Sequence, residues 1–213
     1  RDVERSRGLG DVYKRQVYRL KARKKIPHEI PEGMTASSQN EFLIVEVLEE
    51  DAPCPALEDV LAEYRRPVVV TDEVLGELTL DKDLDVFEGE VLWRGEQICL
   101  SLEVDVANED TWTAAVAAMK QMMADQDRWD RDMRAFAARE LTELACDWRE
   151  SADEDVPEIT EESFAQRIEL TSIAMDPDGS FSAYFDDDDM FFGHCVTAYG
   201  TLTDGVRTVN MEG

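Results

Sequence analysis

Three kinds of hydrophobic spacing succeed one another along the chain. Over 41–48 (EFLIVEVL) branched and aromatic residues crowd together, as in a strand. Leu57, Val60, Leu61 and Tyr64 then recur at i, i+3, i+4 and i+7, which predicts a short amphipathic helix over 56–65. Pro55 suits its first turn, Arg65 and Arg66 complement its C-terminal dipole, and Pro67 ends it. A strand over 68–71 follows, so 41–71 reads as one strand, helix, strand unit.

Strand signals continue through Leu75, Leu78 and Leu80, over 86–93 and over 97–104. The short Arg94-Gly95-Glu96 connection predicts an antiparallel hairpin with Val91 and Trp93 on one face and Leu92 on the other. From 111 to 148 the period becomes helical, through Trp112, Val116, Met119, Met123, Trp129, Met133, Phe136, Leu141, Leu144 and Trp148. A break at Asp125-Gln126-Asp127 makes this a helical pair, with its Met and Trp positions expected in the core. Met122 and Met123 point in different directions, so one of them is expected at the surface. Thr160 is placed to cap a helix over 161–167, and strands return over 168–175, 181–185, 195–201 and 206–211. Asp176-Pro177-Asp178-Gly179 and Thr203-Asp204-Gly205 supply turns between them. The class is α+β: a mainly antiparallel sheet with a central helical pair, preceded by a small strand-helix-strand region. The organisation reads as 1–16, a translation artefact or disordered basic arm, then an N-terminal region over 17–73, then a domain over 74–213.

Charge narrows the function classes. The 213 residues carry 22 basic and 49 acidic side chains, a net of −27. Nucleic acids and anionic membranes are bound through Lys and Arg, so neither is an expected partner. The first 30 residues hold ten basic and four acidic side chains, a net of +6, which leaves −33 on the rest. No apolar run is long enough to span a membrane. Cys54, Cys99, Cys146 and Cys195 form no C-x-x-C pair and read as reduced, mostly buried thiols of a cytoplasmic protein. His28 and His194 are the two histidines, too few for a ready zinc site, and no metal or cofactor is expected.

The densest charge is Asp186-Asp187-Asp188-Asp189, followed by Met190, Phe191, Phe192, Gly193, His194 and Cys195. Adjacent carboxylates repel, and exposure to solvent, a cation or a basic partner relieves them. Alternation along a strand would aim two of the four the same way, which disfavours a metal cage. The stretch from Asp176 departs from the calcium-loop pattern, because its sixth position is Phe181 rather than Gly. His194 and Cys195 are neighbours whose side chains diverge on a strand, so a Cys/His nucleophile pair is disfavoured. His194 with Asp188 or Glu90 is an acid/base arrangement that sequence leaves open beside a structural histidine.

Leu75-Gly76-Glu77-Leu78, then Phe87-Glu88-Gly89-Glu90-Val91-Leu92-Trp93 with Gly95, then Trp148, Ile159-Thr160-Glu161-Glu162-Ser163-Phe164, Asp178-Gly179, Phe192-Gly193-His194 and Gly213 occur in order. On these motifs the stretch 74–213 resembles the bacterial family called domain of unknown function 2262. The resemblance implies a small bacterial cytoplasmic protein and carries over no activity or catalytic residue. The leading expectation is a non-catalytic, acidic interaction protein, of inhibitory or immunity type, that binds a basic partner protein through Asp186, Asp187, Asp188, Asp189, Phe191 and His194. The alternatives are a hydrolase-like enzyme with a carboxylate and His194 site, and an accessory domain with a merely soluble surface.

Overall fold

Strict alternation builds the sheet: in the strand Glu96–Glu103, Ile98, Leu100 and Leu102 are buried while Gln97 and Cys99 are exposed on the other face. The computed structural model describes residues 16–24, 42–149 and 159–213. The chain divides into two units, Arg1–Arg66 and Pro67–Gly213.

In the first unit β1 (Arg19–Lys24) pairs antiparallel with β2 (Phe42–Glu49), and α1 (Pro55–Arg65) follows. β1 was not expected from the sequence, because Leu20 and Ala22 are its only apolar positions among basic residues. Gln16 aside, the residues read as an artefact or arm lie outside the described residues, as does His28. Apolar Phe42, Ile44 and Val60 of this unit are exposed.

The second unit is an eight-stranded sheet in unbroken sequential order, β3 (Val69–Asp72), β4 (Gly76–Asp81), β5 (Val86–Trp93), β6 (Glu96–Glu103), β7 (Glu169–Met175), β8 (Ser180–Asp186), β9 (Cys195–Thr201) and β10 (Gly205–Glu212). The grouping of 41–71 as one unit gives way here, since β3 pairs with β4 from Val69↔Thr79 to Asp72↔Gly76. Backbone pairing decides this: the Asp72 carboxylate accepts the N–H groups of Val74 (2.8 Å) and Leu75 (3.1 Å) and closes a tight turn onto β4.

All pairs are antiparallel except β6 with β7, which run parallel. A parallel pair needs a crossover, and the helices supply it. α2 (Glu109–Met123) is capped by the Asn108 side chain, α3 (Gln126–Arg149) follows after two residues, and α4 (Glu161–Arg167) carries a capping box of Thr160 and Ser163. Met119, Met122, Met133, Ala137 and Ala145 meet Leu100, Ile173, Ala183 and Val196 of the sheet in one core. Met122 and Met123 are both buried, against the expectation of one at the surface, and Gln126 at the start of α3 lies against Met123, its Nε2 3.8 Å from the sulfur. None of the four free cysteines is fully buried, which corrects the reading of mostly buried thiols: Cys99 alternates out of the core.

The parallel joint brings like charges together. Leu102 faces Met175, which sets Glu103 at the end of β6 beside Asp176, the residue after β7. Partial burial, and then the charges of Asp176 and Asp85, push the Glu103 carboxyl above its ordinary range. Burial and Asp178 do the same for Asp176. A raised carboxyl favours its protonated form in the folded state, so its charge opposes folding above that raised value and ceases to as pH falls through it. Glu103→Gln should therefore raise the melting temperature at pH 7, with the gain shrinking as pH falls into the carboxyl range. Thermal melts across pH check this, and a gain independent of pH would contradict it.

Candidate functional site

The acidic stretch joins β8 to β9, and its first aspartates make the turn. Asp186 Oδ1 accepts the N–H of Asp188 (2.9 Å), Asp187 Oδ2 accepts that of Phe191 (2.5 Å), and the Asp187 carbonyl accepts that of Met190 (3.0 Å). Asp188 (φ 47°), Asp189 (φ 58°) and Phe192 (φ 58°) are left-handed, a conformation that short polar residues tolerate and Phe does not. Packing holds it. Phe191 is buried between Trp148 (ring centroids 5.8 Å) and Phe164 (6.1 Å), and Trp148 also meets Phe192 (5.7 Å) and His194 (5.2 Å). Arg167 of α4 closes the outside, its Nε 2.6 Å from Asp188 Oδ2 and its Nη2 donating to the Asp188 carbonyl (2.8 Å).

The loop is thus a fixed projection. Asp187, 1% exposed, and Phe191 are withdrawn into the protein, while Asp186, Asp188, Asp189 and Phe192, 61% exposed, remain at the surface. The sequence reading missed Phe192, since nothing in FFG says which ring turns inward. His194 Nδ1 lies 2.5 Å from the Phe191 carbonyl, which only accepts, so Nδ1 carries the proton. A Cβ on Gly213 would lie 2.4 Å from the imidazole, so two motifs of the family resemblance meet here as a packing contact. No hydrogen bond links the ring to Cys195, Asp188 or Glu90. Cys195 lies on the far face, its thiol accepting from Thr197 Oγ1 (3.8 Å). On that face Tyr199 donates to Glu212 Oε1 (2.6 Å), which with burial pushes the phenol up to about 12. Among the described residues no cluster of His, Cys, Asp and Glu is placed to hold a metal ion, and no helix is long and apolar enough to cross a membrane.

A second place was not visible in sequence. β6 and β7 pair only from Cys99↔Ser172 onward, and before that point the strands part around a cavity of about 860 Å³. Its floor is Asp130 of α3, a carboxylate 2% exposed. Asp130 Oδ1 accepts the Trp93 indole N–H (3.2 Å), and Oδ2 accepts Arg94 Nη1 (2.5 Å) and Arg134 Nε (2.9 Å). Arg134 Nη1 also donates to the carbonyls of Ala165 (3.1 Å) and Ile168 at the end of α4. Arg94 sits with Gly95 in the β5–β6 turn, both left-handed (φ 51° and 95°), and its N–H donates to Gln126 Oε1 (2.7 Å). Asp130 and then Asp127 raise the Arg94 guanidinium above its ordinary value.

A family model described as an uncharacterised protein conserved in bacteria, DUF2262, matches residues 72–211. The chain belongs to the DUF2262 family. A second model, DUF7021, a domain of unknown function, matches residues 1–64, a stretch to which the sequence reading attached no family. No curated protein and no solved structure matches the chain. The DUF2262 match therefore contains the loop and the cleft together, and both descriptions stop at unknown function.

The two kinds of aspartate in the loop separate in stability. Asp187→Ala should cost about 1–3 kcal/mol, since it orphans the buried Phe191 N–H. Asp189→Asn, which keeps a residue that tolerates the left-handed region, should stay within about 0.5 kcal/mol. Denaturant unfolding of both variants checks this, and equal losses would contradict it.

Proposed function

We propose that this DUF2262 protein is a non-catalytic interaction protein that binds a basic partner protein through the β8–β9 loop. One observation carries the reading: Phe192 is 61% exposed in a left-handed conformation, beside the surface carboxylates of Asp186, Asp188 and Asp189. An exposed aromatic on a rigid, acid-rimmed projection has the anatomy of an interface anchor, because a fixed ring is immobilised at low entropic cost when it enters a partner's pocket. The net charge of −27 adds long-range attraction for a cationic surface and repels acidic competitors. An inhibitory or immunity-type role against a basic enzyme is a partnership of this kind. The free cysteines suit a reducing cytoplasm as its setting.

The hydrolase alternative has less to rest on. Its imidazole is committed to the Phe191 carbonyl and packed against Trp148, and Asp188 is engaged by Arg167. An accessory domain of merely soluble surface would have no use for a strained, exposed Phe192.

Affinity capture from a lysate of the source bacterium, with the full chain as bait, tests the proposal. A basic protein should be retained, released by raising the salt, and lost at least about tenfold with Phe192→Ala or with Asp186→Asn and Asp189→Asn combined. Glu88→Gln and Glu90→Gln, on β5, should leave capture unchanged. Retention indifferent to salt and to the loop variants would overturn it.

A further inference from the structure

We propose that the cleft where β6 and β7 part takes an extended peptide segment with a basic side chain, which adds its main chain to the open edge of β6. The parting is built into the strands. Leu170 faces Phe185 and Ser172 faces Tyr184, so Thr171 is one residue too many against β8, a bulge whose hydroxyl donates to the Tyr184 carbonyl (3.0 Å). A bulge bends its strand and ends pairing, and the β6–β7 ladder begins only beyond it, at Cys99↔Ser172. β6 does not share the bend: it stays in register with β5 from Val86↔Glu103 to Trp93↔Glu96. Glu96, Gln97 and Ile98 are therefore held as a strand along one edge and have no partner strand along the other. An edge that keeps strand geometry beside a cavity of about 860 Å³ is a template for a further strand, and three residues of it span about 10 Å.

Charge chooses the occupant. Arg94 is paired with Asp127 (3.0 Å) and Asp130 (2.5 Å), and Arg134 with Asp130 (2.9 Å), so the arginines of the lining are neutralised within the protein. Glu96 and Glu169, exposed at the two lips, have no ion-pair or hydrogen-bond partner among the described residues. The uncompensated charge of the cleft is thus negative. In an added strand the residue directly opposite Glu96 shares its face, where Arg or Lys is drawn to the carboxylate and Asp or Glu is repelled. The site is separate from the Phe192 projection, since α4 turns Ala165 and Gln166 to the cleft and Arg167 to Asp188.

Titration of the full chain with the blocked peptide acetyl-Thr-Val-Arg-Val-Thr-amide, followed through backbone amide chemical shifts, tests the site. Saturable binding is expected, with shifts centred on 96–98 and 169–171. Two companion peptides separate the contributions: one with Glu in place of Arg, and one N-methylated at the successive Val and Arg, which keeps the charge but blocks both main-chain edges. Each should bind at least about threefold more weakly. Glu96→Lys, a change at an exposed position, should reverse the preference between the Arg and Glu peptides. Phe192→Ala should leave peptide binding unchanged, so this site and the loop stand or fall separately. No saturable shift at about 10 mM peptide, equal binding of the Arg peptide and either companion, an Arg preference indifferent to Glu96→Lys, or shifts elsewhere would overturn the proposal.

Discussion

A buried carboxylate at Asp130 sets the terms for the centre of the second unit. Removing such a charge from water costs several kcal/mol unless cations and donors replace the lost hydration. The replacements come from three directions: the Trp93 indole from the end of β5, Arg94 from the hairpin turn, and Arg134 from the next turn of α3. Arg134 then carries the linkage on to the C-terminal carbonyls of α4, which would otherwise be orphaned. One side chain thereby ties the hairpin, the long helix and the short helix to one another. The parting of β6 and β7 beside it leaves an opening that the network lines.

The same accounting changes the meaning of the negative charge. Asp72, Asp81, Asp105, Asp178 and Asp186 each stand at a strand end or turn and accept a backbone N–H two residues onward. These acids are turn-formers first. Lys120 relieves Asp72 at 2.8 Å and holds that carboxyl below its ordinary range. The remaining field is still strongly negative, but it follows the turns of a meandering sheet and is not a tail. The β8–β9 loop is the place where turn chemistry and exposed aromatic surface coincide.

Much of this fold was legible in the sequence because its elements obey the local rules. Period-two alternation in β5 and β6, the Asx and Gly turns, the Thr160 cap and the break near Asp125 all agree with the final structure. Three things were not legible. The partner of β3 was not named, since a four-residue strand carries no mark of it. The inward turn of Phe191 and the outward turn of Phe192 depend on Trp148, some 40 residues away, as do the surroundings of His194. The Asp130 cluster is assembled from residues 93, 94, 130 and 134, and in sequence Asp130 is one more acid in a charged helix. Only its i, i+4 spacing to Arg134 hinted at a pair.

The central role of Asp130 is open to direct measurement by a double-mutant cycle on Asp130→Asn and Arg134→Gln, with unfolding free energies taken for both single variants and the double. If the buried carboxylate organises its neighbours, the two changes are strongly coupled, by about 1.5 kcal/mol or more. Additive losses, with coupling below about 0.5 kcal/mol, would mean that the hairpin, α3 and α4 are held by apolar packing alone and would contradict the account.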